Sequence, residues 1–312
     1  MHGCDHNNNE YGADDHALLL EKNYRALERM NHHFARTGIP CTPIAVCPQE
    51  QCSLSAWRAF ADHPDMLAMM NTRTMPRSGS EDGVRGSDLL LPAQDALFGI
   101  PAFKRHYPGK PSRFALDLFL GKPAILVEHH TYFRDGPGAV EEFAKSLREI
   151  NPAVRWPSLE QIATGTHLRR KDPNGLTSLR FFTHRFEFTA APTDSGAYQL
   201  RKRVRDPANV RAFQIEGQSV PFMREGEFVC AEVTVEPGRR VKVSLEREPS
   251  PARVHYSFGL IYQAGVATRR LFSEVRDDYV AHSPFAVKCA QSVLRLARLT
   301  GDSRRGPTGK AS

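Results

Sequence analysis

The sequence predicts an α/β protein whose first half carries parallel strands, followed by a small antiparallel β-sandwich and a C-terminal helical segment. Three observations predict it. Up to about residue 165, apolar runs of strand length alternate with stretches of helical periodicity, the pattern of β–α–β units and a parallel sheet. After residue 170, apolar and polar residues alternate with a period of two, as in the half-buried strands of a sandwich. From about Arg253 the period becomes helical again. The chain is thereby divided into 1–170, 171–252 and 253–312.

In the first region, residues 14–36 (DDHALLLEKNYRALERMNHHFAR) place Leu18, Leu19, Ala26, Leu27, Met30 and Phe34 at helical spacing. Asp14 and Asp15 open that helix, and Gly38-Ile39-Pro40 follow its end. TPIAVCP is a buried-strand pattern, SLSAWRAFADH a second helix with Ser53 as N-cap, and MLAMMNT another strand. Residues 73–87 are polar and rich in Gly and Ser, a long loop. RFALDLFL is a helix, KPAILVEHH a strand, and GPGAVEEFAKSLREIN and PSLEQIAT are helices. RKDPNGLTS reads as a turn-rich linker. Beyond it, LRFFTHRFEFTA and EFVCAEVTVEPGRRVKVSLERE supply the sandwich strands. Phe181, Phe182, Phe186 and Phe188 read as sandwich core; the other reading is a sugar-stacking platform, and exposure decides between them.

Composition narrows the classes of function. The chain of 312 residues is 40% hydrophobic and 25% charged, an ordinary globular balance. No apolar stretch reaches the ~18 residues of a membrane span, and the first residues do not make a signal peptide. Six cysteines form no CxxC pair, which reads as reduced thiols in a cytoplasmic protein. Lys plus Arg is 42 against 35 acids, a net charge of +7, and Val266–Ser312 holds nine basic and four acidic residues of that balance. Residues 284–299 combine one apolar face with Arg and Lys; they either dock on the rest of the protein or lie on a membrane surface. The basic residues have few interleaved aromatics, so nucleic acid is not an expected partner.

Three stretches carry chemistry. MHGCDHNNNE puts His2 and His6 four apart with Asp5 between them, a spacing that can hold zinc or another divalent metal from one loop; the alternative is a solvated tail. The strand AILVEHH ends in Glu128, His129 and His130, which offer a general acid or base at a strand's carboxyl end, or are a pair of surface histidines. Successive strand residues face opposite sides, so at most one of the two histidines faces a site there. In VCPQEQCS, Pro48 either shapes a substrate groove or makes a turn.

Taken in order, these features resemble the polysaccharide deacetylase (NodB-like) family. HGCDH matches its His-x-x-x-His motif at His2 and His6, CPQEQ its Pro-containing loop at Pro48, and AILVEHH its strand ending in a catalytic histidine, with His129 the nearer match. The chain is similar to a bacterial deacetylase-like group that shares HGCDH, a GKP…HH…FRDG segment and RRxxSExRDxY, here RRLFSEVRDDY at 269–279. The resemblance implies a partial (β/α) barrel and a carbohydrate substrate. It also implies metal held by His2, His6 and an aspartate, with His129 or His130 catalytic and Pro48 and Glu128 at the substrate. The family's first-strand Asp pair has no counterpart before His2, and its loop arginine is absent beside Pro48. The expectation is therefore a chain begun at an internal methionine of a longer protein, with metal-dependent glycan deacetylation impaired. The alternative is a non-catalytic glycan-binding or scaffold protein.

Overall fold

In the computed structural model the described residues are 1, 4–5, 9–72, 86–95, 97–133, 135–248, 256 and 259–275. They fall into two units, Met1–His255 and Tyr256–Ser312.

Helix α1 (His16–Thr37) starts where the Asp15 side chain accepts from the Leu18 N–H at 3.0 Å. It stops at Gly38, whose φ of 70° lets its N–H return to the Phe34 carbonyl, a turn that a Cβ would strain. β1 (Ile44–Ala45), α2 (Leu54–Asp62), β2 (Ala68–Asn71), β3 (Ala102–His106), α3 (Pro111–Phe119) and β4 (Ile125–Leu126) follow. The four strands make one parallel sheet in the order β1-β2-β3-β4, which is also their order in the chain. Met1 adds to its edge: its amine donates to the Ile44 carbonyl at 2.7 Å and its carbonyl accepts from the Val46 N–H at 2.8 Å. That is how a parallel neighbour brackets a residue, here Ala45.

Period-two alternation puts the two faces of this sheet into different cores. Ala45, Met69 and Ala102 pack with Leu19, Leu27, Trp57 and Phe60 of α1 and α2. Ile44, Ala68, Met70, Phe103 and Ile125 face the other way, toward Ala163 and Phe182. Helices α4 (Gly138–Ile150) and α5 (Leu159–Gly165) complete this part. Phe114 of α3 meets Phe143 of α4 edge-on, with ring centroids 4.8 Å apart. Ser158 and Gln161 form a capping box that starts α5.

Among the described residues, nine further strands form two sheets: β5 (His167–Lys171), β6 (Thr177–Phe181), β7 (Arg185–Thr189), β8 (Ala197–Arg203), β9 (Val210–Ile215), β10 (Gln218–Val220), β11 (Met223–Glu225), β12 (Phe228–Thr234) and β13 (Arg240–Arg247). One sheet runs β11-β12-β8-β6-β5 and the other β10-β9-β13-β7. Two sequence expectations need correction here. RKDPNGLTS is not a linker: Lys171 pairs with Thr177 across a tight turn, so β5 and β6 are a hairpin already inside the sheet. The sheets are also not wholly antiparallel. Because β7 crosses to the opposite sheet, β8 returns beside β6 in the same direction and pairs with it parallel.

The two sheets share one core. Phe181 stacks on Phe186 at 4.8 Å, Phe186 on Phe188 at 5.4 Å, and Phe213 meets Phe181 edge-on at 6.1 Å. Phe181, Phe182, Phe186 and Phe188 are all buried, which decides for core over sugar platform. Gly196 has φ +84°, and a Cβ there would lie 3.1 Å from the Val235 carbonyl oxygen.

The sandwich is tied to the parallel sheet. Phe182 enters the sheet's core, Arg180 pairs with buried Asp95 at 2.8 Å, and Arg247 donates to the Ala61 carbonyl at 2.9 Å. His184 lies in the same region. Burial first, then Arg247, Arg185 and Lys202, pushes its pKa down from 6.5 to about 3. A histidine with a depressed folded pKa stays neutral when folded and protonates when unfolded. Its contribution is therefore complete above about pH 6.5 and is lost as pH falls toward 3, at up to ~1.4 kcal/mol per pH unit. Urea unfolding between pH 6.5 and 4.5 is expected to fall more steeply for the wild type than for His184→Gln; parallel curves would contradict this.

The second unit contributes α6 (Leu260–Val275). Residues 276–312, including the basic 284–299 segment and the end of RRLFSEVRDDY, lie outside the described residues. Among the described residues, no helix is long and apolar enough to cross a membrane.

Candidate functional site

Loops leaving the carboxyl ends of parallel strands are where such sheets place ligands. The loop after Met1 comes first. Its Cys4, Asp5 and Glu10 are buried, and one ligand atom from each lies within 4.8 Å of the others, so the group can hold a metal ion. His2 and His6 lie outside the described residues. The same carboxylates face cations of α1. Lys22 Nζ is 3.6 Å from Asp5 and 3.5 Å from Glu10, and an Arg29 nitrogen is 3.5 Å from Asp5. Arg29 also donates to the Cys4 carbonyl at 2.5 Å and to its sulfur at 3.2 Å. Glu10 accepts from the backbone N–H groups of Cys4 at 3.2 Å and Asp5 at 2.9 Å. Burial above all, with the Asp5 charge second, pushes the Cys4 thiol up to about 12.

The donor types of this group suit a divalent cation. Its charge is a separate matter. The two carboxylates stand against the Lys22 ammonium and the Arg29 guanidinium, and Arg25 also acts on Cys4, so a bound ion adds positive charge unless Lys22 withdraws or Cys4 gives up its proton. Asp5, expected from sequence as a plain ligand, is thus also a partner in a buried ion-pair network.

The loop after β1 begins a single 3-10 turn, Pro48–Glu50, in which Pro48 is buried at the first position. Glu50 closes it with φ +56°, an unusual conformation for a residue with a side chain. Its carboxylate accepts from the Thr72 N–H at 3.0 Å and from the Thr72 hydroxyl, at the end of β2. Strained residues held by such anchors concentrate at functional sites. Arg105 of β3 lies nearby. Burial lowers its pKa, and the Glu50, Tyr107 and Cys47 charges oppose that. Its Nε is buried and has no hydrogen-bond partner among the described residues.

At the ends of β3 and β4 the edge turns aromatic. Tyr107, 47% exposed, has its ring 6.2 Å from that of exposed His129. The half-buried Glu128 accepts from the His129 N–H at 3.2 Å. A 3-10 turn, His130–Phe133, follows, in which Tyr132 meets the exposed Phe133 edge-on at 5.7 Å. The side chain of His130 is outside the described residues.

Pro48, Glu128 and His129 therefore follow the carboxyl ends of strands of one sheet, Pro48 after β1 and the other two after β4, the opposite outer strand. Sequence reasoning missed Glu50, Arg105 and Tyr107. The signal for Glu50 was its place two residues after Pro48; Arg105 and Tyr107 were hidden because β3 (AFKRH) was not recognised as a strand. It also missed the buried pair His106–Asp117, 2.9 Å apart, beside a cavity of about 530 Å³ on the α3 side of the sheet. Burial lowers the His106 pKa there, and Asp117 raises it. Neither a family model nor a curated protein nor a solved structure matches the chain.

Proposed function

We propose that the carboxyl edge of the parallel sheet is the carbohydrate site of a polysaccharide-deacetylase-like protein, with metal-dependent removal of acetyl groups weakened in this chain. The observation that carries this reading is the exposed Tyr107 ring beside His129, next to Glu128. An exposed aromatic stacks on a sugar's apolar face, while a neighbouring histidine donates a proton. The strand order supports the partial (β/α) barrel. A sheet whose strands run in chain order lacks the order reversal of a doubly wound sheet and suits a singly wound barrel.

Tyr107 would orient the sugar, and His129 would protonate the departing amine or alcohol. Glu128 would hold the backbone of His129, and Pro48 would shape the groove. Cys4, Asp5 and Glu10, with His2 and His6 on the same loop, would hold zinc or another divalent ion. Such an ion, when bound, supplies Lewis-acid polarisation of the acyl oxygen. Lys22 and Arg29 already neutralise the carboxylates of this loop, which is the reason for expecting weak metal affinity and slow hydrolysis.

The test is binding of an N-acetylated oligosaccharide together with acetate release in the presence of zinc. Binding is expected, with Tyr107→Ala about tenfold weaker, the equivalent of ~1.4 kcal/mol. Acetate release is expected to be slow and to disappear in His129→Ala. Undetectable oligosaccharide binding, or binding indifferent to Tyr107→Ala, would sink the reading. Binding with no zinc-dependent acetate release at all would favour the second reading, a non-catalytic glycan-binding protein, to which the neutralised carboxylates already point.

A further inference from the structure

At the other end of the parallel sheet, where the chain enters β2 and β3, a cavity of about 350 Å³ opens against the sandwich. It is lined by Arg58, Asp62, His184, Lys202, Arg205 and Arg247, among others. We propose that this cavity binds the phosphoryl group of a small phosphorylated molecule, of about the size of a sugar phosphate.

The argument rests on positive charge that the protein neutralises only in part, with Lys202 buried and Arg58, Arg205 and Arg247 reaching solvent. Lys202 is 2% exposed. Its ammonium donates to two carbonyls, Gly99 at 3.0 Å and Arg203 at 2.9 Å, which leaves one of its three protons unclaimed. Arg247 donates to the Ala61 carbonyl. Among the described residues, no carboxylate lies within ion-pair distance of either side chain. Asp95 is the acid whose charge acts most on Lys202, but it is paired with Arg180 at 2.8 Å, and the two acids that line the cavity are committed elsewhere. Asp62 holds His16 at 2.9 Å and Arg58 at 3.5 Å. Asp206 accepts from the Ala208 N–H at 3.1 Å and the Asn209 amide at 2.8 Å, closing its own turn. Arg205 is exposed and held over the Phe98 ring at 4.5 Å.

Four cationic side chains thus meet two occupied carboxylates around an open space. A buried charge without a counterion is costly, and a fold that keeps one gains when an anion fills the space. Guanidinium forks beside an ammonium suit the oxygens of a phosphoryl group better than a single carboxylate. The volume lies within the range of small-molecule pockets. The titration agrees with a net positive site: burial pushes Lys202 down to about 8, Asp95 opposes this and Arg247, Arg180 and Arg203 add to it, while burial and then Arg247, Arg185 and Lys202 keep His184 neutral. The site is at the end of the sheet opposite the carbohydrate edge, so the two can be tested apart.

The experiment is a thermal-shift and calorimetric titration of the full chain at low salt, with inorganic phosphate, a hexose phosphate, the unphosphorylated hexose, and sodium chloride at matched ionic strength. Both phosphate compounds are expected to raise Tm saturably, while hexose and sodium chloride do not. Tighter binding of the hexose phosphate would identify an ester as the natural source, and equal binding the free anion. Lys202→Met removes a buried charge that has no direct ion pair and is expected to fold and to bind about tenfold or more weakly. Arg205→Gln, at an exposed position, is expected to weaken binding a few fold without changing Tm in the absence of ligand. The proposal is overturned if millimolar phosphate and hexose phosphate leave the wild type unchanged, or if the shift survives in both variants.

Discussion

Phe181→Ala is expected to lower the free energy of unfolding by about 3–5 kcal/mol, among the larger costs of a core truncation. Phe181 ends β6, the strand paired on one side with β8 and on the other with β5. It has no exposed surface, stacks on Phe186, and receives the edge of Phe213 from the opposite sheet. Removing the ring leaves a cavity that neither sheet can close without breaking its ladder, so the transfer and cavity terms both count. Phe188 sits at the end of the same stack and is 6% exposed, so water can reach part of the space left by Phe188→Ala. Urea unfolding followed by far-UV circular dichroism should rank Phe181→Ala as clearly more damaging than Phe188→Ala. A loss below about 1 kcal/mol for Phe181→Ala would mean that the two sheets do not share this core.

Period-two placement of these phenylalanines was readable in the sequence because a strand's side-chain direction is a local property. So was the frame of α1: Asp15 and Gly38 bound it, as the acid pair and the Gly-Ile-Pro stop predicted. Strands held by non-local pairing were not readable. AFKRH becomes β3 because it lies between β2 and β4, although it carries Lys104, Arg105 and His106. HLRRK becomes β5 at a sheet edge, where exposed charged side chains are an advantage against aggregation. The site divides the same way. Pro48, Glu128 and His129 were legible as residues at strand ends. The side-chain environment of Asp5 was not, because its partners Lys22 and Arg29 belong to a helix that the sequence pattern describes only by its apolar face. Nor was the cationic cavity, since Lys202 reaches Gly99 and Arg247 reaches Ala61 across 103 and 186 residues of chain.

Asp5→Asn is expected to destabilise the protein by about 2–4 kcal/mol, whether or not zinc is present. The Asp5 side chain has no exposure and that of Lys22 only 10%, so the ammonium cannot recover its hydration when one of its two carboxylates is neutralised. Arg29, 37% exposed, can turn to water, which holds the loss below that of a fully enclosed triad. If Lys22 and Arg29 are what neutralise Asp5 and Glu10, a chelator will leave the wild-type Tm unchanged. Lys22→Met should then bind zinc more tightly than the wild type, because it removes the one cation within ion-pair distance of both carboxylates, and added zinc should restore part of its lost stability by mass action. The opposite pattern would be one zinc per chain after purification, with a fall in Tm on chelation as large as that caused by Asp5→Asn. That would mean a metal ion supplies the neutralising charge and that the cations of α1 only support it. The deacetylase reading would then gain a competent metal site, and the expected slow acetate release would have to be revised upward.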